Sequence, residues 1–296
     1  MTPRAAVSIL RPHLAAAAGL CALSGTLISG GSPSPAHGAL AFAAVFGIAA
    51  GTMPLNDLVD RHADAVNRPE RPIPSGAISP REAVLLFAAV SLAGVAAAAA
   101  LGIAALILTI TLFAVGTLYN LTGKRWGLLG NIMVSTSVAC SFLLGDLATP
   151  TAEAAFGVRV IALAVATFVG SLALETAGDI HDETGDRENK GRSFIIRHGR
   201  AAALFLYTAL VLVFVAVCVA APLALKPIPH SALWVSIPCS VAFAGLAAAF
   251  LGTAAGSAED HNESEWSPRS KRLTTIIMLQ AGVAMLGVLI LTIGSL

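Results

Sequence analysis

The chain has 296 residues, of which 56% are hydrophobic and only 12% are charged, with a formal net charge of +1 and a mean hydropathy of +0.80. Soluble domains carry roughly 25% charged residues, so the composition excludes an ordinary soluble protein and indicates a membrane protein. A chain of nearly neutral charge is also not expected to have a nucleic-acid partner.

Apolar stretches long enough to span a bilayer, about 18 to 25 residues, recur along the whole chain. They predict nine transmembrane helices near residues 8–29, 37–57, 82–100, 103–121, 127–146, 155–178, 199–221, 231–253 and 273–294. Only Gly102 separates the third stretch from the fourth, so eight spans are an alternative. We expect an all-α, multi-spanning membrane helix bundle in which residues 1–296 form a single transmembrane domain.

The distribution of positive charge predicts the orientation of this bundle. With nine spans, every Lys and Arg except Arg159 and Lys226 lies at the N-terminus or in the loops after the second, fourth, sixth and eighth helices. Lys and Arg are enriched in cytoplasmic loops. The sequence therefore predicts a multi-pass integral membrane protein with this side in the cytoplasm.

Aspartates repeat with a spacing of three and then four residues in two motifs. The first motif, residues 56–64, has Asp57, Asp60 and Asp64, and the second, residues 179–186, has Asp179, Asp182 and Asp186. On a helix this spacing places the three carboxylates of each motif on one face. All six aspartates are therefore candidate catalytic residues. Mg²⁺ prefers a few carboxylates together with substrate phosphate oxygens. The motifs therefore predict a cytoplasmic site where two carboxylate faces bind divalent metal and a diphosphate.

Cations follow both motifs and are candidates for direct contact with a diphosphate. They are Arg68 and Arg71 after the first motif, and Lys190, Arg192 and Arg197 after the second. Arginine is suited to this contact because its guanidinium can bind phosphate oxygens in pairs.

Other polar residues lie close to predicted helix ends. Asn131 is predicted to line the site, and Glu175, one turn before Asp179, is expected to be functional because ionisable groups near the membrane interior are costly. Asp146 is expected to be a solvated cap at the opposite membrane face. His62 and His181 each follow an Asp by two residues and are expected to point away from the carboxylates.

The motif Asn56-Asp57-x-x-Asp60-x-x-x-Asp64, followed by Asn67-Arg68-Pro69-x-Arg71-Pro72-Ile73-Pro74-Ser75-Gly76, resembles the first motif of the UbiA superfamily of intramembrane prenyltransferases. The run Asp179-Ile180-His181-Asp182-Glu183-Thr184-Gly185-Asp186 is similar to its second aspartate-rich motif. Nine spans match its helix bundle. Within the superfamily, the chain is most similar to geranylgeranylglyceryl-phosphate prenyltransferases.

This resemblance implies a prenyltransferase that uses Mg²⁺, for which Mn²⁺ can substitute, and an isoprenoid diphosphate donor, with geranylgeranyl diphosphate as the first candidate. The implied metal ligands are Asn56, Asp60, Asp64, Asp179, Asp182 and Asp186. The implied diphosphate contacts are Arg68, Lys124, Lys190 and Arg192, while Tyr119 matches a family Tyr after the fourth helix. The expected chemistry is metal-assisted ionisation of the donor and capture of the carbocation by the acceptor.

Two departures from the family pattern leave the acceptor open. Thr184 replaces an acidic residue, and Gly178 stands where the lipid subgroup often has Lys. The acceptor is therefore a lipid or an aromatic molecule, and a UbiA-type terpene cyclase is an alternative. An ion-coupled transporter, from another class, would also contain paired acids and repeated halves. Against it, these acids cluster at helix ends beside basic loops, which suits phosphate.

Overall fold

The computed structural model describes residues 2–29, 33–149, 156–183, 192–224, 230–255 and 268–294. These residues form eleven α-helices and one short 3₁₀-helix, Gly123–Trp126, and they contain no strand. In chain order the α-helices are α1 Pro3–Leu10, α2 Pro12–Ile28, α3 Pro35–Asn67, α4 Pro80–Leu101, α5 Ile103–Leu121, α6 Leu128–Leu147, α7 Val158–His181, α8 Phe194–His198, α9 Arg200–Ala224, α10 His230–Ala255 and α11 Pro268–Gly294. The all-helical prediction is confirmed.

Local sequence determines where several helices begin and end. Proline, whose fixed φ suits the first helical position, begins five of the α-helices. Ser79 caps α4, since its hydroxyl accepts the Glu82 N–H and the Glu82 carboxylate accepts the Ser79 N–H at 2.8 Å. Gly102, with φ of 116°, separates α4 from α5 as the sequence predicts.

A helix occupies each of the nine predicted membrane segments. Within the described ranges, six helices are long and apolar enough to cross a membrane: residues 35–62 of α3, α4, α5, α6, α7 and residues 200–220 of α9. A seventh is counted if α1 and α2, which meet at an angle of 51°, form one span. The count of nine spans stays a prediction.

The chain divides into two compact units, the first made of residues 1–123 and 137–161. In the first unit, α3 packs against α2, α4 and α5. Small residues allow a close approach: a Cβ added to Gly47 of α3 would lie 2.6 Å from the Cα atom of Gly94 in α4. Similarly, a Cβ at Gly145 would lie 1.9 Å from the Ala22 carbonyl oxygen. The backbones of these helices are therefore in direct contact.

The second unit comprises residues 124–136 and 162–296. Its core is aromatic, with Tyr207, Phe214, Phe243 and Phe250 buried among side chains of α7, α9, α10 and α11. A buried polar pair crosses this core, because the Gln280 amide donates to the Tyr207 hydroxyl at 2.8 Å. The prediction of one domain over residues 1–296 stays a prediction.

The structure corrects the expectation for Asp146. It was predicted to be solvated, but its side chain is fully buried and its Oδ2 atom accepts the Phe156 N–H at 2.7 Å. The first predicted helix, residues 8–29, is also interrupted, because Arg11 adopts a left-handed backbone with φ of 45° between α1 and α2.

Candidate active site

The first motif lies on the last turns of α3. This helix passes through Pro54 without interruption and ends at Asn67, so Asp57, Asp60 and Asp64 share one helix as predicted. Arg68 ends it, with its N–H donating to the Asp64 carbonyl at 2.8 Å, and Pro69 follows. The carboxylates therefore lie at the junction between a membrane helix and a loop.

Two arginines neutralise the carboxylates at the two ends of the first motif. Asp57 is only 1% exposed, and its Oδ1 atom accepts from Arg11 Nη2 at 2.5 Å and lies 3.5 Å from Arg71 Nη1. The same Arg71 nitrogen donates to Asp64 Oδ2 at 2.6 Å. Arg71 thus bridges two carboxylates that are two turns apart, and Arg11 holds one of them more tightly.

The proline loop, residues 68–79, is anchored beneath this ion-pair cluster. Ile73 and Ile78 are buried against Ala5 and Ile9 of α1. Within the loop, the Ile78 N–H donates to the Pro72 carbonyl at 2.9 Å. The loop therefore positions Arg71 through its own turns and through the apolar face of α1.

The other predicted residues of the first motif are half-buried. Asn56 donates weakly to Asp57 Oδ1 at 3.5 Å, while Asp60 and Arg68 are partly accessible. Tyr119, near the end of α5, is also half-buried. The side chain of Asn67 lies outside the described part of the structure.

The second motif begins at the end of α7, where Asn131 of α6 contacts its first aspartate. The Asn131 amide, which is buried, donates to Asp179 Oδ2 at 2.9 Å. This contact joins two residues 48 positions apart. That Asn131 lines the site stays a prediction. The donor is neutral, in contrast with the arginines of the first motif.

Of the two described aspartates of the second motif, Asp182 is the more open, with its side chain 50% exposed. His181 Nδ1 lies 2.5 Å from Asp182 Oδ1, and His181 Nε2 lies 3.0 Å from the Thr274 hydroxyl of α11. The expectation that His181 points away from the carboxylates is therefore wrong. Glu183, the next residue, pairs with Arg200, which also donates to the Ala254 carbonyl at 2.7 Å.

The cationic turn before α6 packs against the segment that follows the second motif. Gly127, with φ of 61°, lies so close to this segment that an added Cβ would meet the Arg192 carbonyl oxygen at 2.8 Å. Arg197 donates to the Arg125 carbonyl at 3.3 Å. The Lys124 side chain is half-buried and that of Arg192 is exposed. Lys124 and Arg192 thus belong to segments in direct backbone contact.

Asp186 and Lys190 lie outside the described residues. Among the described side chains, no group of three or more His, Cys, Asp or Glu could hold a metal ion alone. The predicted ligands are nevertheless all oxygen donors, and Mg²⁺ is commonly held by one or two carboxylates with the rest supplied by water and substrate phosphate. The chemistry of the residues present fits Mg²⁺.

Helices able to cross a membrane, with carboxylates and arginines gathered where one of them ends, are features of a membrane protein with a charged site at one helix end. The chain belongs to the UbiA prenyltransferase family, whose sequence model matches residues 18–276. It is therefore an integral membrane protein and a prenyltransferase.

Individual relatives agree with this family assignment. The digeranylgeranylglyceryl phosphate synthase of Methanothrix thermoacetophila is 34% identical over 209 residues, 70% of this chain and 76% of that protein. The apo structure of a UbiA homologue from Aeropyrum pernix K1 is 25% identical with a TM-score of 0.72, covering 96% and 97% of the two chains. A UbiA homologue from Archaeoglobus fulgidus, bound to GPP and Mg²⁺, shares the fold at 21% identity with a TM-score of 0.65, covering 96% and 99%.

The residue that sequence reasoning missed is Arg11. It was assigned only to the positive charge that sets topology, yet it is the tightest partner of Asp57. Its distance of 46 residues from Asp57 leaves no spacing pattern that could have revealed the contact.

Proposed function

We propose that this prenyltransferase transfers the geranylgeranyl group from geranylgeranyl diphosphate to a lipid acceptor that carries glyceryl phosphate. The support for donor and acceptor is the name shared by relatives at 34% to 36% identity, digeranylgeranylglyceryl phosphate synthase. An aromatic acceptor is the alternative, because Thr184 and Gly178 depart from the pattern of the lipid subgroup.

The observation that carries this proposal is the geometry of the first motif. Arg71 Nη1 lies 2.6 Å from Asp64 Oδ2 and 3.5 Å from Asp57 Oδ1, so one guanidinium contacts both carboxylates. Carboxylates are the ligands that Mg²⁺ prefers, and a guanidinium is the group that binds phosphate oxygens most directly. Groups for both partners of a metal diphosphate are thus present together at one helix end.

The residues that would hold Mg²⁺ are Asn56, Asp60 and Asp64 in the first motif and Asp179, Asp182 and Asp186 in the second. When bound, Mg²⁺ neutralises the diphosphate and acts as a Lewis acid on its leaving oxygen. Asn131 fixes the Asp179 carboxylate by its hydrogen bond, so this ligand does not have to be ordered when the substrate arrives.

The proposed diphosphate contacts are the cations that follow the motifs. Arg68, Arg71, Lys124, Lys190 and Arg192 would bind phosphate oxygens, with Tyr119 beside them. Arg71 already contacts Asp64, so a phosphate oxygen would compete with that carboxylate for its guanidinium. The positive charge that Arg71 withdraws from Asp64 would then neutralise the phosphate oxygen.

In the reaction the bond between C1 of the prenyl group and the diphosphate oxygen breaks, and its electron pair leaves with the diphosphate. The acceptor hydroxyl forms the new C–O bond and loses its proton. Water would capture the same carbon, so it must be kept away. The apolar packing of the proline loop on α1 would form one boundary that excludes water.

Purified protein in lipid nanodiscs, incubated with Mg²⁺ and geranylgeranyl diphosphate, tests this proposal. We expect a prenylated lipid only when geranylgeranylglyceryl phosphate is added. A prenylated aromatic product instead would show that the acceptor is an aromatic molecule and not a lipid. A cyclised hydrocarbon formed without acceptor would identify a terpene cyclase and contradict transfer.

We also propose that both motifs face the cytoplasm, as the distribution of Lys and Arg suggests. Ser75, exposed in the proline loop, offers a test. A Ser75→Cys variant should react with a membrane-impermeant maleimide in inside-out vesicles and be protected in right-side-out vesicles. The reverse pattern would contradict the orientation.

A further inference from the structure

We infer that Arg11 is a positioning residue for the first motif, because it neutralises the buried Asp57 carboxylate and so leaves Arg71 available for Asp64 and the diphosphate. This inference rests on the proposed function for its substrate. In this inference Asp57 helps to position Arg71 and takes no direct part in the reaction.

Two arginines compete for the Asp57 carboxylate, and their distances to it differ. Arg11 Nη2 lies 2.5 Å from Asp57 Oδ1, whereas Arg71 Nη1 lies 3.5 Å from the same atom and 2.6 Å from Asp64 Oδ2. Each arginine therefore has one close carboxylate. Arg71 keeps only a long contact with Asp57 because Arg11 occupies the nearer position.

Burial makes this division of partners necessary. Asp57 is 1% exposed, and a buried carboxylate without a cation is strongly disfavoured. Among the described residues, Arg11 and Arg71 are the only cations in ion-pair distance of it. If Arg11 were lost, Arg71 would be drawn fully to Asp57 and away from the place where a diphosphate could meet it.

The backbone around Arg11 is built to deliver this side chain. Arg11 has φ of 45°, a left-handed conformation that residues with a Cβ rarely adopt. Its carbonyl accepts the Leu14 N–H at 3.0 Å at the start of α2. On its other side, Ile9 of α1 is buried against Ile73 and Ile78. The bend between α1 and α2 is thus fixed to the same loop that carries Arg71.

Donor kinetics of Arg11→Gln test the inference, with the exposed Arg4→Gln of α1 as the control for loss of one charge. Because a phosphate contact made in both ground and transition states changes KM alone, we expect donor KM to rise roughly tenfold with kcat changed less than about threefold. Arg4→Gln should leave both constants unchanged. A donor KM for Arg11→Gln within about twofold of wild type overturns the inference.

The double variant Arg11→Gln with Asp57→Asn separates positioning from general damage. With both charges removed, nothing draws Arg71 away, so donor KM should return to within about threefold of wild type, a strong non-additivity for neighbouring residues. If Asp57 itself took part in the chemistry, the double variant would lose kcat, which overturns the inference. The double variant also tests the positioning role of Arg11 if Arg11→Gln alone does not fold.

Two binding measurements keep this test independent of turnover. Mn²⁺ affinity, followed by the electron paramagnetic resonance signal of free Mn²⁺, should not weaken in Arg11→Gln, while the dissociation constant of pyrophosphate measured calorimetrically with Mg²⁺ should rise roughly tenfold. Parallel loss of both affinities overturns the inference. A wild-type chain that binds both probes but forms no prenylated product contradicts the proposed function alone.

Discussion

The two aspartate motifs share their spacing but not their surroundings. In the first, Asp57 and Asp64 are buried and held by Arg11 and Arg71. In the second, Asp179 accepts from the neutral amide of Asn131, and Asp182 is half exposed beside His181. Among the described contacts, arginines meet two carboxylates of the first motif, whereas an amide and an imidazole meet those of the second. Equal spacing in a sequence does not imply equal electrostatics.

Removing divalent metal should produce the largest effect, because the proposed ligands of both motifs bind a diphosphate only through that metal. We expect turnover to vanish in excess EDTA and to return when Mg²⁺ or Mn²⁺ is added. Product formation followed by mass spectrometry measures this. Undiminished turnover in EDTA would show that neither motif acts through a divalent metal.

Loss of one ligand from either motif should be nearly as severe. Asp60→Ala and Asp182→Ala should each reduce kcat by at least roughly a hundredfold, the scale of losing one electrostatic contribution to a transition state. The fold should persist, because neither side chain is buried. Gel filtration and turnover are compared with Glu70→Ala, an exposed acid in the proline loop. Wild-type activity in either variant would remove that motif from the site.

Arg68→Lys tests whether the cation after the first motif clamps the diphosphate. A charged hydrogen bond contributes roughly 1.5 to 3 kcal/mol, and Lys cannot reproduce a planar bidentate contact. Donor KM should therefore rise about ten- to a hundredfold. Arg61→Lys, at an exposed position of the same helix, should be silent. An unchanged KM for Arg68→Lys would mean that this cation serves topology alone.

Asn131→Ala tests the hydrogen bond to Asp179, the first aspartate of the second motif. The Asp179 carboxylate would lose a buried donor at 2.9 Å, so we expect kcat/KM to fall about tenfold, the value of a single hydrogen bond to a charged group. Thr136→Ala, at an exposed position of α6, is the control. If the two variants have the same kcat/KM, the contact of Asn131 with Asp179 does not contribute to activity.

The smallest effect is expected for His181→Ala. Its partner Asp182 is half exposed, so water can replace the lost hydrogen bond and turnover should fall only about two- to fivefold. His62 follows Asp60 of the first motif by two residues and is exposed, so His62→Ala should have no effect on turnover. A loss as large as that of Asp182→Ala would mean that His181 itself contacts the substrate.

Local patterns predicted most of the fold. The apolar stretches, the break at Gly102 and the prolines that end α3 all act within a few residues, and each appears where the sequence indicates it. The helical placement of Asp57, Asp60 and Asp64 follows from the same local rule. The membrane composition also predicted the class of protein, because so few charged residues exclude a soluble fold.

Long-range contacts could not be predicted in the same way. The partners of Asp57 and Asp179 lie 46 and 48 residues away, where spacing carries no information. Asp146 was misjudged for a related reason, since its burial depends on how the chain returns at Phe156. In each case the tertiary arrangement, and not the local sequence, decides which polar group meets which partner.

The contact between Gly47 and Gly94 couples the packing of α3 against α4 to the position of the first motif on the same helix. A methyl group at Gly47 would lie 2.6 Å from the Gly94 Cα atom, against the roughly 3.5 to 4 Å of an ordinary carbon contact, so α3 would have to tilt. Asp57 lies ten residues further on, about 15 Å along the same helix, and the tilt would move its end. Since a misplacement near 1 Å can cost about a hundredfold in rate, Gly47→Ala should behave as a catalytic mutation without touching any charged group.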